Sequence, residues 1–246
     1  MGAVELSFVV PAHNEEKFIE STLFTIDEVA KGSLPYEIVV VDDGSKDKTF
    51  EKALTFAKRN GHVKVLRSIK NFGKGDAVKN GFMQAVGDIV VFADSDMEID
   101  LGTVSKYVEA LKTCDIAIGS KWHPDSIVNM PLFRRFLSHG FNFFVRLFTG
   151  MKLKDTQVGL KAIRRNVFVN IFPRLAVKRY AFDVELLTVA KLFNLKVVEL
   201  PVNMRIERSF NVKELFRMFI DLLGIAYRLR VIRWYESSSI SKKCIL

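Results

Sequence analysis

Two aspartates one residue apart, Asp94 and Asp96, follow an apolar run at 89–92, and a third carboxylate, Glu98, lies two residues further on. Carboxylates this close on a turning backbone can share a divalent cation. Hard oxygen ligands suit Mg2+ or Mn2+, with a diphosphate completing the coordination shell. Taken alone, Asp94-Ser95-Asp96 also reads as a solvated loop or a helix cap. Upstream, Gly73-Lys74-Gly75 precedes a helical pattern, where glycines let backbone N–H groups approach a phosphate or ribose. An ordinary strand-to-helix turn is the alternative. Val78 stands where a dinucleotide fingerprint needs its third glycine, and no Walker A pattern is present. No Ser-His-Asp or Cys-His arrangement is visible. Cys114 and Cys244 lie far apart without a CxxC, and only four histidines are present, which suggests neither a disulfide framework nor a structural zinc site. A reducing compartment is the simplest reading.

These residues need elements to position them. Over the first 121 residues, short β-branched runs at 6–10, 37–41, 63–66, 89–92 and 116–118 alternate with helical patterns at about 15–31, 47–60, 75–86 and 102–112. Continuous apolar strands separated by helices predict an α/β domain, with a mostly parallel sheet and helices on both faces. Ligands of such sheets bind beyond the carboxyl ends of the strands. The polar clusters fall there: 11–15 after the first strand, 42–45 after the second, 71–75 after the third and 94–96 after the fourth. Further on, an aromatic helical segment at 132–148 places Arg134, Ser138 and Asn142 on one face. A loop holding Asp155, a strand at 159–164, a helix at 182–193 and a strand at 197–202 follow, the strands rejoining the sheet. A last helical stretch covers 212–235. There Arg217, Asp221, Gly224 and Arg228 form a polar stripe on an otherwise apolar helix.

The chain of 246 residues carries a formal charge of +9, unevenly spread. Residues 1–100 hold 12 basic and 17 acidic side chains, so the basic excess belongs to the second part, which must meet something anionic. Basic residues interleaved with Phe and Leu suit a membrane interface, and no nucleic-acid-binding signature appears. We therefore expect no nucleic-acid partner. The two aromatic segments are read as lying in a bilayer interface, with packing against a homodimer or membrane-protein partner as the alternative. No transmembrane helix, signal peptide or lipid anchor is expected. The expected division is a catalytic domain at 1–211 and an amphipathic membrane-interface segment at 212–246.

The ordered set Pro-Ala-His-Asn-Glu (11–15), Val-Asp-Asp-Gly-Ser (41–45), Asn-Phe-Gly-Lys-Gly (71–75) and Ala-Asp-Ser-Asp (93–96) resembles the inverting family 2 glycosyltransferases of GT-A fold, a Rossmann-like class. Gly-Ser-Lys-Trp-His (119–123), Arg-Arg-Phe-Leu-Ser (134–138) and Asp-Thr-Gln-Val-Gly-Leu-Lys (155–161) are similar to the dolichyl-phosphate glucose and mannose synthases. The resemblance covers about residues 5–210. It implies that Pro11, His13, Glu15, Val41 and Asp43 hold the nucleotide, joined by Lys74 and Ser95. It implies that Asp94 and Asp96 hold metal and diphosphate, with Glu98 at a third metal-ligand position. Lys121, at a place where the family usually has Arg, would grip the lipid phosphate with Arg134 and Ser138; lysine keeps the charge and loses the bidentate fork. Asp155 is read as a base, as a holder of a sugar hydroxyl or as the cap of the turn that follows it. Ser209 and Lys213 lie near where the family closes the nucleotide site with a basic loop. His13 and His139 are read as packing or hydrogen-bonding rather than catalytic.

The expected activity is transfer of a hexose from a nucleotide sugar to dolichyl or another polyprenyl phosphate, at the cytoplasmic face of a membrane. UDP-glucose is preferred over GDP-mannose, because Asp-Thr-Gln-x-Gly-x-Lys looks more like the glucosyl members. The alternatives are a mannose synthase, or a family 2 enzyme acting on another glycan acceptor.

Overall fold

The computed structural model describes residues 4–206 and 212–237. Its frame is a seven-stranded sheet in the order β3-β2-β1-β4-β7-β5-β8. The strands are β1 Leu6–Ala12, β2 Tyr36–Asp42, β3 Val63–Arg67, β4 Ile89–Ala93, β5 Ile116–Ser120, β7 Leu160–Arg164 and β8 Val197–Pro201. A separate parallel pair joins β6 (Ile127–Asn129) to β9 (Asn203–Arg205). Neither short strand carries a readable pattern, since three residues cannot establish a period of two.

Alternation along each strand supplies both faces of the sheet with apolar side chains. Leu6, Phe8 and Val10 pack in one core with α1 (Ile19–Ala30), α2 (Thr49–Arg59) and α4 (Val104–Ala110), while Val9 points into the other. The second core is covered by α3 (Lys74–Gln84), α5 (Leu132–Thr149), α6 (Arg165–Ile171), α7 (Phe182–Leu192) and α8 (Val212–Arg230). In α1 the buried residues Ile19, Leu23, Ile26 and Ala30 fall on one helical face. The helix begins at Ile19 rather than near 15, because residues 13–18 form the turn at the sheet edge. Asn14 adopts a left-handed backbone there, with φ 57°.

One strand runs against the others. β7 lies between β4 and β5 antiparallel to both, with Leu160 opposite Ala93 and Lys161 opposite Ile118. β5 leaves the sheet at its carboxyl edge, and the chain returns to that edge through residues 150–159 before entering β7. This direction places the start of β7 beside the carboxyl ends of β4 and β5, where the acidic motif lies.

The last helical stretch ends at Arg230 and is followed by a 3-10 turn at Trp234–Glu236. Leu222 and Ile225 are fully buried in the second core, and Tyr235 is buried beside them. Each such aliphatic side chain contributes about 1.5–3 kcal/mol on burial, so α8 is part of the second core's packing. The expected boundary at 211/212 therefore does not separate two cores. Residues 207–211, with Ser209, and 238–246, with Cys244, lie outside the described residues.

Candidate active site

The carboxyl ends of β1, β2, β4 and β5, with the amino end of β7, frame two adjoining clefts. The first, of about 540 Å3, is lined by Pro11, His13, Glu15, Asp43, Lys74, Asp94, Ser95 and Asp96. The second, of about 730 Å3, is lined by Asp96, Glu98, Lys121, Arg134 and Ser138 over an apolar floor that includes Ile99, Leu137, Phe141 and Ile206. Six residues border both clefts: Lys74, Asp94, Asp96, Tyr180, Glu214 and Met218. The sequence motifs thus converge on one edge, with the aspartates at the junction.

The first cleft is held in shape by hydrogen bonds between motifs far apart in sequence. The Asp43 carboxylate accepts the backbone N–H groups of Phe72 and Gly73 at 2.9 and 2.7 Å. His13 Nδ1 lies 2.8 Å from the Asp43 carbonyl oxygen, and Ser95 Oγ donates to the Pro11 carbonyl at 2.9 Å. Lys74 Nζ reaches Asp94 at 2.6 Å and, more distantly, Asp183 Oδ2 at 3.9 Å. Burial opposes the charge on Lys74, but Asp94 and Asp183 outweigh it and hold the ammonium pKa above the ordinary lysine range. Asp183 is in turn paired with the fully buried Lys161 at 2.8 Å. Alternating charges therefore run from the sheet interior to the cleft, each compensated by the next.

The fold gives several residues singled out in the sequence a definite place. Val41 is buried with Val39 and Ala77 in a small cluster against α3 and borders neither cleft. Val41 lies within β2, on the face that packs against α3, whereas Asp43 lies just beyond the strand's last residue, at the sheet edge. Gly73 lines the first cleft, and both Gly73 and Gly75 are also required by close packing. Gly73, at φ 110°, has no room for a Cβ against the Lys178 carbonyl oxygen, and Gly75 none against Phe182. Asp155 is fully buried and borders neither cleft. Its carboxylate accepts the backbone N–H groups of Lys121 and Gln157 at 3.0 and 2.9 Å and pairs with Lys121 Nζ at 2.8 Å. Of the three readings of Asp155, the structure shows the turn cap, through Gln157 N–H, together with support of Lys121. Finally, among the described residues no three His, Cys, Asp or Glu side chains converge as a ready-made metal set. Asp94 instead faces the Lys74 ammonium, while Glu98 Oε1 is buried without a hydrogen-bond partner.

The Lys121 ion pair is almost closed to solvent, the two side chains being 8% and 0% exposed. Removing one partner of such a pair strands the other charge. Asp155→Asn is expected to destabilise the protein by ~3 kcal/mol, read as a lower urea midpoint at unchanged slope; an unaltered midpoint would show the pair to be dispensable.

Helix α5 presents its residues as their spacing predicts. Arg134 and Ser138 border the second cleft, and Asn142, one turn further, is buried. His139 stacks on Trp122 at 3.8 Å between centroids, a packing role. Asn71, in the 71–75 cluster, lines the first cleft; sequence reasoning missed Arg179 and Tyr180, and it treated the α8 stripe as the polar side of a surface helix. In the fold, Glu214, Arg217, Met218 and Asp221 wall the first cleft. Their spacing of three, one and three residues marks one helical face. Burial raises the Asp221 pKa, with Arg179 and Arg228 opposing the shift, and burial with Glu214 alongside pushes the Tyr180 hydroxyl up.

The outer faces of α5 and α8 are apolar and exposed. They present Leu132, Phe133, Phe136 and Phe143 on one helix, and Phe216, Ile220, Leu223 and Tyr227 on the other. The helices meet through Phe144 and Phe219, edge to face at 5.3 Å. No helix among the described residues is long and apolar enough to cross a membrane.

A family model described as glycosyl transferase family 2 matches residues 7–172. A dolichyl-phosphate beta-glucosyltransferase of Drosophila melanogaster is 39% identical over 217 residues, covering 81% of this chain and 67% of that protein. The Homo sapiens protein of the same name is 35% identical over 216 residues, with the same coverage. Among solved structures, glucosyl-3-phosphoglycerate synthase from Mycobacterium tuberculosis, crystallised with uridine diphosphate, superposes with a TM-score of 0.69. It is 22% identical, and the match covers 92% of this chain and 79% of that one.

Proposed function

The chain belongs to glycosyl transferase family 2, and from that premise we infer that it transfers a hexose from a nucleotide sugar to dolichyl or another polyprenyl phosphate. We take the donor to be UDP-glucose; the names of the fly and human relatives support both glucose and the lipid acceptor. The observation that carries the reading is the junction of the clefts. A polar cleft lined by the nucleotide motifs meets an apolar-floored cleft bearing Lys121 and Arg134, and the two share Asp94 and Asp96.

In this reading the first cleft takes the nucleotide sugar and the second takes the phosphate of the lipid. A phosphate monoester is already about 1.5–2 units negative at neutral pH, so the acceptor needs no general base, consistent with the enclosed position of Asp155. Lys121 and Arg134 draw the phosphate in and aim one oxygen at the anomeric carbon. That oxygen forms the new C–O bond as the bond to the nucleoside diphosphate breaks on the opposite side, inverting the configuration. Lys74, beside Asp94, can follow the departing diphosphate.

The donor atoms suit a hard divalent cation, Mg2+ or Mn2+. Asp94 already attracts a cationic partner, Glu98 Oε1 is a buried oxygen without one, and two carboxylates suffice where diphosphate oxygens complete the shell. Asp94 and Asp96, with Glu98, would hold it. When bound, the cation neutralises charge on the leaving diphosphate.

The apolar outer faces of α5 and α8 flank the acceptor cleft, and we read them as the surface that rests on the bilayer. Replacing Phe136 and Ile220 together by serine is expected to lower binding to anionic vesicles at least about tenfold while UDP affinity stays constant; unchanged vesicle binding would place the contact elsewhere. The activity itself is tested with a panel of radiolabelled UDP- and GDP-hexoses, dolichyl phosphate and Mn2+, scoring label in the organic phase. Label from UDP-glucose supports the reading, label from GDP-mannose alone would change the donor, and no lipid-borne label would overturn it.

A further inference from the structure

Glu185 on α7 has no exposed surface and lies outside both clefts, yet its carboxylate ties together three separate segments. One oxygen accepts the backbone N–H of Val177 at 2.7 Å. The other accepts the Tyr235 hydroxyl at 2.6 Å and lies 3.2 Å from Arg228 Nη2. Arg228 Nε also donates to the Tyr235 hydroxyl at 2.9 Å, closing a triangle among α7, α8 and the 3-10 turn. The turn grips the segment before Val177 as well, since Arg174 Nε donates to the Tyr235 carbonyl oxygen at 3.0 Å.

What these bonds hold in place is the wall of the donor cleft. Val177 leads directly into Arg179 and Tyr180, which line that cleft, and Arg228 sits two turns along α8 from Asp221 and three from Arg217, which line it too. The Lys178 carbonyl between them packs on Gly73 and accepts the Asp76 N–H at 3.0 Å. We propose that Glu185, Arg228 and Tyr235 form a buried clasp that positions the Arg179–Tyr180 loop and the α8 wall for donor binding, so that the C-terminal turn sets affinity for the nucleotide sugar from outside the cleft. These are positioning residues, and the inference rests on reading the first cleft as the donor site.

The clasp holds elements whose Arg179, Arg217 and Asp221 line the donor cleft alone and whose Tyr180 borders both clefts, whereas Lys121 and Asp155 are held without it. It therefore predicts a split between substrates. Tyr235→Phe, which keeps the ring and removes the hydroxyl, is expected to raise the KM for UDP-glucose and the Kd for UDP about tenfold. The KM for dolichyl phosphate and kcat should stay within about twofold. Amide exchange across 174–181 should speed up and slow again when UDP is added. Arg228→Lys, which keeps the charge and loses the Nε bond to Tyr235, provides a second variant. Ile171→Val, in the same core on α6, is the control for lost stability. Equal rises in both KM values, or the same donor effect in the control, would reduce the clasp to fold stability and overturn the proposal. UDP binding by the wild-type chain with no change in either clasp variant would also overturn it, leaving the donor-site reading intact. No UDP binding by the wild-type chain would overturn both.

Discussion

Gly159→Ala is expected to lower kcat/KM for the nucleotide sugar about a hundredfold without unfolding the protein. A Cβ at this position falls 1.7 Å from Asp94 Oδ2, well inside any allowed contact. Gly159 does not need a left-handed backbone, so the added methyl acts through space alone. The cause lies in the topology. Because β7 enters antiparallel with Leu160 opposite Ala93, the residue before Leu160 faces the residue after Ala93. Asp94 must swing away from the methyl and leaves its contact with Lys74, displacing a carboxylate at the junction of the two clefts by about an ångström, and misplacement on that scale costs roughly 10²-fold in rate. The substitution is checked by steady-state kinetics with thermal unfolding measured in parallel. Full activity at an unchanged Tm would remove Asp94 from the reacting centre.

Asp96→Ala has the larger expected effect, a loss of about a thousandfold in metal-dependent turnover. Asp96 is the cleaner choice of the two aspartates. Truncating Asp94 would leave the Lys74 ammonium, whose side chain is 18% exposed, without its nearest carboxylate and mix a stability loss into the result. Asp96 borders both clefts and is partly exposed, so its removal should change stability by less than about 1 kcal/mol. Circular dichroism and the unfolding midpoint check the fold, and a titration with Mn2+ checks the cause. Turnover should stay low even at high Mn2+, and the Mn2+-dependent part of UDP affinity should disappear. Retained turnover with a normal Mn2+ response would take the cation away from this motif.

The stabilising interactions of α8 and of the acidic motif differ in how far they were legible beforehand. Strands β1, β2, β4 and β5 are continuous apolar runs because both faces of the sheet are covered, and that pattern survives in sequence. The polar clusters that follow them reach the carboxyl edge by the same logic, which is why Asp94 and Asp96 could be placed there, while Lys121 and Arg134 came from the motif resemblance. Val41 fails that logic because it still lies inside β2 and packs against α3, and a shared motif does not reveal where the strand ends. Asp155 fails it differently. A charged residue in a loop reads as available, and only the approach of Lys121 from another strand shows that it is buried and paired.

By itself, then, the sequence determined the alternating α/β order, the edge that carries the chemistry, the acidic motif and the apolar faces of α5 and α8. Each of these depends on local period or on residues within a few positions of one another. Tertiary structure alone decided the antiparallel entry of β7, the need for a glycine opposite Asp94, and the recruitment of α8 and the Arg179–Tyr180 loop as the cleft wall. It also decided the clasp through Glu185. Most of these contacts join residues more than 40 positions apart, and they arise only when two faces of the sheet are packed. No periodicity within either segment can record them.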